Sequence, residues 1–223
     1  MTQKRQSTVR TFADRIIDYM EQQDYIISRN KGEKNIIYVE RANTNGTEND
    51  DRPTYFNDLR IIIAFNDKFQ PVIEGIWIAT TEPGYYYTDN PMNPNGAPRI
   101  GFGQYVAWQV GLHGYSNPHE SLIQVGEVKV HRDYNRDMKR IGDRVEWGYF
   151  GINQHWGHNN PMDDIHTASA GCLVGRLWEE HLQFMYLAKS DRRYRFDERF
   201  VYPTTIIAGD KLNAFSKSRG LLN

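Results

Sequence analysis

The residues best suited to chemistry lie close together, between positions 151 and 176. This segment contains Cys172, the only cysteine of the chain, and it also contains three histidines, His155, His158 and His166. A nucleophilic thiolate needs a neighbouring base, which one of these imidazoles could supply. Because Gly171 precedes the cysteine, a tight turn could present the sulfur together with backbone N–H groups suited to an oxyanion hole. The alternative is that a single Cys followed by Leu and Val is a buried small apolar residue.

Two short motifs in this segment resemble the catalytic domain of the L,D-transpeptidases, which has the YkuD-like fold. The sequence QHWG at 154–157 is similar to the family's histidine box, and SAGC at 169–172 is similar to its Ser/Thr-His-Gly-Cys box. The two reactive residues, His155 and Cys172, are 17 positions apart. The resemblance implies a β-sandwich enzyme that cleaves or rejoins peptide bonds of the peptidoglycan stem. It also implies Cys172 as nucleophile, His155 as general base, and a turn containing Ser169 and Gly171 that positions the thiol.

The chain departs from the family pattern at Ala170, which stands where the family has a second histidine. The missing ring removes a possible oxyanion or substrate contact, so hydrolysis and transpeptidation both stay open. His166 is an alternative base or a substrate contact, and Trp156 and Arg176 are the other expected substrate-binding residues. His113 fits a structural histidine, although it could line the same cleft.

A wider resemblance links the chain to uncharacterised proteins of phage, prophage and bacterial genomes. It covers residues 81–88, 90–97, 150–155 and 169–176. No apolar signal-peptide run is found near the N-terminus, so we expect synthesis in the cytoplasm followed by release at lysis or packaging in a virion. The expected partners are peptidoglycan stem peptides and other virion proteins. A virion structural or wall-binding protein that keeps the fold without catalysis is the alternative.

A second motif places oxygen ligands at alternate positions. Asp133, Asn135 and Asp137 have the spacing of a calcium loop, and Asp143 follows ten residues after the first. Met138 stands where an EF-hand loop requires Gly, and Arg144 stands where it requires Glu. Bound calcium and a solvated turn therefore both remain open, and no organic cofactor is expected, because glycine-rich phosphate-binding motifs are lacking.

The elements that must position these residues are mainly strands. Short β-branched and aromatic runs predict strands at 25–28, 35–39, 59–65, 75–81, 105–112, 121–130 and 201–208. Helical spacing of apolar residues predicts helices at 7–23, capped by Ser7 or Thr8, and at 177–188. We therefore expect a β-dominated α+β fold, a β-sandwich of the L,D-transpeptidase type with an N-terminal and a C-terminal helix. A single domain over 1–223 is expected, with a helix and strands in 1–68 and the catalytic region in 69–223.

Composition excludes some classes of function. The chain has 27 Lys and Arg against 28 Asp and Glu, so no overall positive field favours nucleic acid. One cysteine cannot form an internal disulfide or a multi-thiolate zinc site. No run approaches the roughly 18 apolar residues of a membrane span.

Overall fold

The computed structural model describes residues 10–221. It contains five helices within this range, α1 Phe12–Gln22, α2 Tyr85–Asp89, α3 Trp178–Lys189, α4 Arg192–Phe196 and α5 Gly209–Ser218. The same residues form eleven strands, β1 Asn35–Glu40, β2 Asp58–Phe65, β3 Pro71–Thr80, β4 Ala97–Ile100, β5 Gly103–His113, β6 His119–Gln124, β7 Val128–Asp133, β8 Arg144–Gly148, β9 Gln154–Trp156, β10 Leu173–Gly175 and β11 Tyr202–Ala208. No helix between residues 10 and 221 is long and apolar enough to cross a membrane.

Two sheets build the fold. Eight strands form a sheet that closes on itself in the order β1-β11-β5-β6-β9-β10-β3-β2, and β4-β7-β8 form a separate antiparallel sheet. Within the closed sheet, β1 with β11 and β9 with β10 are parallel pairs. The protein is therefore β-dominated with a few helices, as the sequence predicts, and is compatible with a β-sandwich-like α+β fold.

The closed sheet has a core on each of its faces at β1 and β2, where every residue is buried. Alternation along a strand sends successive side chains to opposite faces. Ile36 and Ile62 consequently join one core cluster, with Trp108, whereas Ile37 and Ile61 join a second cluster beneath α1 and α5. These two strands, which lie within the first 68 residues, belong to the same sheet as β9 and β10.

The helix α1 begins later than its apolar pattern predicts. Its N-cap is Thr11, whose hydroxyl accepts the Asp14 amide while the Asp14 carboxylate accepts the Thr11 amide. This reciprocal pair satisfies two amides that the first turn leaves free. The predicted caps Ser7 and Thr8 lie outside the described residues.

Several strand predictions are wrong in detail. Residues 25–28 do not form a strand; the backbone of Ile26 instead hydrogen-bonds to the side chain of Gln104. The predicted strand at 121–130 is split into β6 and β7, which belong to different sheets, and Gly126 packs closely on Ala107 at the break. Between the predicted strands at 75–81 and 105–112, where no element is predicted, the chain forms α2 and β4. The helix α5 lacks a sequence prediction altogether.

Candidate functional site

A cavity of about 550 Å³ contains both predicted reactive residues, Cys172 and His155. Its walls come from the turn before β10, from β5 and β9, and from the three-stranded sheet. The lining residues that matter below are His113, Arg132, Gly151, His155, Gly171 and Cys172. The sequence segment that is richest in reactive groups therefore opens onto a cavity large enough for a ligand.

Parallel pairing of β9 with β10 brings the segments that contain His155 and Cys172 side by side. Leu173 pairs with Gln154 and Val174 with His155, so that Cys172 lies beside Asn153 at the start of both strands. The thiol donates to the carbonyl of Gly151 at 3.5 Å, and the sulfur accepts the backbone N–H of Asn153 at 3.4 Å.

The turn before Cys172 is held by one hydroxyl and requires glycine. The Ser169 hydroxyl donates to the Cys172 carbonyl at 3.0 Å and accepts the Gly171 amide at 3.1 Å. Gly171 has a φ of +127°, which L side chains rarely adopt. A Cβ there would also lie 2.4 Å from the carbonyl oxygen of Pro98 in β4. Ser169 and Gly171 thus fix the position of the thiol by hydrogen bonding and by close approach.

His155 is held in one tautomer and is nearly fully buried. Its Nδ1 lies 2.8 Å from the carbonyl oxygen of Trp156, so Nδ1 carries the proton and Nε2 is the basic nitrogen. Within residues 10–221, neither a protein hydrogen bond to Nε2 nor one between His155 and Cys172 is formed. Proton transfer between them therefore needs a rotation of the thiol or an intervening water.

Burial sets the charge of the resting pair. It raises the pKa of the Cys172 thiol to about 11. The hydrogen bond from the Asn153 N–H lowers this pKa, but by less than burial raises it. Burial, and then the field of His113, hold the pKa of His155 well below its usual range. The resting site is therefore a neutral thiol beside a neutral imidazole, not a thiolate–imidazolium ion pair.

A second imidazole faces the first. His113, at the end of β5, stacks on His155 with ring centroids 3.9 Å apart and planes 13° apart. Its Nδ1 accepts the side-chain amide of Asn153 at 2.9 Å, and burial lowers its pKa to about 4. Asn153 therefore contacts both the sulfur and this second ring.

One backbone amide of the turn is available for an oxyanion. The Gly171 amide binds Ser169, and the Leu173 amide binds the carbonyl of Asn153 at 2.9 Å. In the described part of the chain, the amide of Cys172 has no hydrogen-bond acceptor. The sequence suggests that backbone N–H groups near Cys172 form an oxyanion hole. Among the described residues, the amide of Cys172 itself is the one of these three that is free to donate.

The three predicted substrate-binding residues do not line the cavity. Trp156 alternates away from His155 along β9, and its indole binds Asn159 at 2.9 Å and packs on Trp178. Arg176 donates to the carbonyl of Asn160 at 3.1 Å. His166 is exposed beside the wall residue Thr167, with which it hydrogen-bonds at 3.1 Å.

The predicted calcium loop is a turn that closes mainly on itself. Asn135 and Asp137 hydrogen-bond to each other, and the carboxylate of the fully buried Asp133 accepts the Met138 amide and pairs with Arg99 at 3.5 Å. Burial, with the nearby Asp133 and Asp137 charges, raises the pKa of Asp143 to about 6. Across residues 10–221, no three His, Cys, Asp or Glu side chains are grouped to hold a metal ion. Calcium binding stays a prediction.

Sequence reasoning missed two residues of the site. Asn153 lies two positions before His155, directly before the QHWG motif, but an amide there carries no spacing signal of its own. Arg132 belongs to neither motif, yet it lines the cavity. Both assignments depend on pairings between strands that are far apart in sequence.

Comparison with known proteins identifies no relative of this chain. No protein-family model matches it, and neither the curated proteins nor the solved structures contain a significant match. The site therefore has to be interpreted from its own geometry.

Proposed function

We propose that this protein is a cysteine-dependent peptidoglycan peptidase or transpeptidase of the L,D-transpeptidase type. It acts on stem peptides through Cys172 and His155 in phage-associated degradation of the cell wall. The observation that carries the proposal is that Cys172, which directly precedes β10, and His155, on the adjacent parallel strand β9, line one cavity, and that Nε2 of His155 has no hydrogen-bond partner among residues 10–221. The motif resemblance supplies the substrate class and the phage association.

The chemistry follows from the neutral resting pair. Nε2 of His155 accepts the thiol proton as the sulfur attacks a peptide carbonyl, and the Cys172 amide donates to the oxyanion that forms. The C–N bond then breaks, the proton on His155 passes to the leaving amine, and an acyl-enzyme thioester remains. Water resolves the thioester into a hydrolysed product, and an amine resolves it into a new cross-link.

The raised thiol pKa favours a second function, that of a non-catalytic virion or wall-binding protein. A thiol with a pKa of about 11 carries little thiolate at neutral pH. A protein that kept the fold and lost catalysis would have such an inert cysteine. It would bind insoluble peptidoglycan or other virion proteins and leave the peptide bonds unchanged.

The test is mass spectrometry of muropeptides after incubation of purified sacculi with the wild type, Cys172→Ala and His155→Asn. We expect new fragments or exchanged amino acids with the wild type and their loss in both variants. His158→Asn is the matched control, because this histidine is exposed and lies outside the cavity lining. Its products should equal those of the wild type.

Unchanged products with Cys172→Ala would refute the cysteine mechanism. If the wild type itself leaves the muropeptides unchanged but cosediments with sacculi, the wall-binding function replaces the catalytic one. Loss of activity in His158→Asn equal to that in His155→Asn would show that His155 has no special role as base.

A further inference from the structure

The cavity around Cys172 has an unusual balance of charge. Among the described residues that line it, Arg132 is the single Arg, Lys, Asp or Glu side chain. The two lining imidazoles, His113 and His155, both have pKa values below the ordinary range and are neutral at physiological pH. Among residues 10–221, a ligand that enters this cavity therefore meets one cationic side chain of the lining and no anionic one.

Arg132 is held rigidly in the wall. It is 6% exposed, its guanidinium lies 4.8 Å above the ring of Phe150, and its Nη1 donates to the carbonyl of Gly96 at 3.3 Å. Its Nε donates to Glu146 at 2.8 Å. Over residues 10–221, its Nη2 has no hydrogen-bond acceptor, and that atom is not among the fully buried ones. A preorganised guanidinium with one open nitrogen is suited to bind an anionic oxygen.

The partner of Arg132 does not cancel its charge, because Glu146 is shared. The same carboxylate lies 3.4 Å from Nε of Arg144 and accepts the side-chain amide of Asn95 at 3.4 Å. Two guanidinium groups thus face one carboxylate, and the local sum is positive. Asp133, the next residue along β7, alternates to the other face and pairs with Arg99.

Two sets of contacts connect Arg132 with the nucleophile. Arg132 pairs in register with Pro98, and the carbonyl of Pro98 lies against Gly171, which precedes the cysteine. From the other side, Phe150 underlies the guanidinium and precedes Gly151, whose carbonyl accepts the thiol. The cation and the sulfur are therefore on neighbouring segments of one wall.

From this geometry we propose that Arg132 is a specificity-determining residue that binds a free carboxylate of the acyl-donor peptide, placed a few bonds from the carbonyl that Cys172 attacks. The part of this proposal that names a peptide as the substrate rests on the proposed function. The part that places a carboxylate-binding subsite beside the thiol does not. The class of substrate is then an anionic peptide, and a peptide whose carboxylate is amidated is bound less well.

The experiment uses the single cysteine as a reporter that needs no peptidoglycan. Two iodoacetyl-Gly-Gly probes are compared at one pH, one with a free C-terminal carboxylate and one with a C-terminal amide, and modification is followed by intact-protein mass spectrometry. We expect the wild type to react about tenfold faster with the carboxylate probe, the value of one charge-assisted hydrogen bond. Arg132→Gln should abolish that preference, and Arg132→Lys should keep part of it.

Arg195→Gln is the matched control, because it removes one exposed positive charge from α4, at a position outside the cavity lining. It should keep the wild-type ratio. An equal ratio for wild type and Arg132→Gln, or equal rates of the two probes with the folded wild type, would overturn the proposal, and the second result does not depend on whether any variant folds. Activity on sacculi is measured separately, so failure of the catalytic function leaves the probe ratio interpretable.

Discussion

Gly171 offers the sharpest test of how the thiol is positioned. The perturbation is Gly171→Ala, and its matched control is Gly142→Ala, because both glycines have positive φ, +127° and +91°. A Cβ at 142 meets nothing within 4 Å, whereas a Cβ at 171 lies 2.4 Å from the Pro98 carbonyl oxygen and 2.7 Å from its Cγ. The pair therefore separates the cost of backbone strain from the cost of the close approach.

The magnitude follows from these two terms. Holding an alanine at such a φ costs about 1–3 kcal/mol at either position. Overpacking adds about 1–3 kcal/mol at position 171 only, because backbone atoms of β4 cannot rotate away as a flexible side chain would. With a urea dependence of roughly 2 kcal/mol per M, Gly171→Ala should unfold at about 1 M lower urea than Gly142→Ala.

The assay is equilibrium urea unfolding followed by tryptophan fluorescence, with the alkylation rate of Cys172 measured in the same samples. Relief of the clash has to move the turn away from Pro98, so the alkylation rate should change in Gly171→Ala and stay at the wild-type value in Gly142→Ala. Equal unfolding midpoints for the two variants would refute the idea that contact with β4 fixes the turn.

The remaining predictions concern the hydroxyl, the thiol and one buried imidazole. Ser169→Ala should lower the free energy of unfolding by about 1–3 kcal/mol, because it leaves the Gly171 amide without its acceptor. Ser121→Ala should cost less in the same unfolding assay, since that hydroxyl is buried without a partner. The alkylation rate of Cys172 should keep rising with pH toward the thiol pKa of about 11, and a plateau near pH 8 to 9, where an ordinary thiol titrates at about 8.5, would contradict the neutral resting pair. Burial, and then Arg60, lower the pKa of His181 from 6.5 to about 3, so the unfolded chain binds more protons in that window and this histidine costs stability as pH falls through it. The urea midpoint of His181→Gln minus that of the wild type should therefore increase as the pH is lowered from 6.5 to 4. A difference that does not change with pH would contradict the burial of a neutral ring.

Local patterns predicted most of the strands because their residues are uniform in kind. The runs that became β1 and β2 are rich in isoleucine, with Ile36 and Ile37 in one and Ile61 to Ile63 in the other, and such runs suit strands that are buried on both faces. The break between β6 and β7 could not be predicted in this way, since only three residues separate the two strands and valines stand on both sides, at 125 and 128. The contact of Gly126 with Ala107, which is distant in sequence, accompanies the change of sheet.

The sequence by itself determined which groups are available to the site. It contains one thiol, a histidine 17 positions before it, and a Ser-Ala-Gly turn between them. Spacing and residue type were sufficient here, because the turn and the two short strands lie within one local segment.

Only the tertiary structure decided what surrounds those groups. His113 and Arg132 come from β5 and β7, which belong to two different sheets, and the packing of these sheets brings both residues to one cavity. Because side chains alternate along a strand, His155 and Trp156 must face opposite ways, but only the packed sheet decides that the histidine faces the cavity. Burial is likewise a property of the assembled fold, and it is burial that leaves the thiol and the imidazole neutral and Arg132 as the charged group of the site.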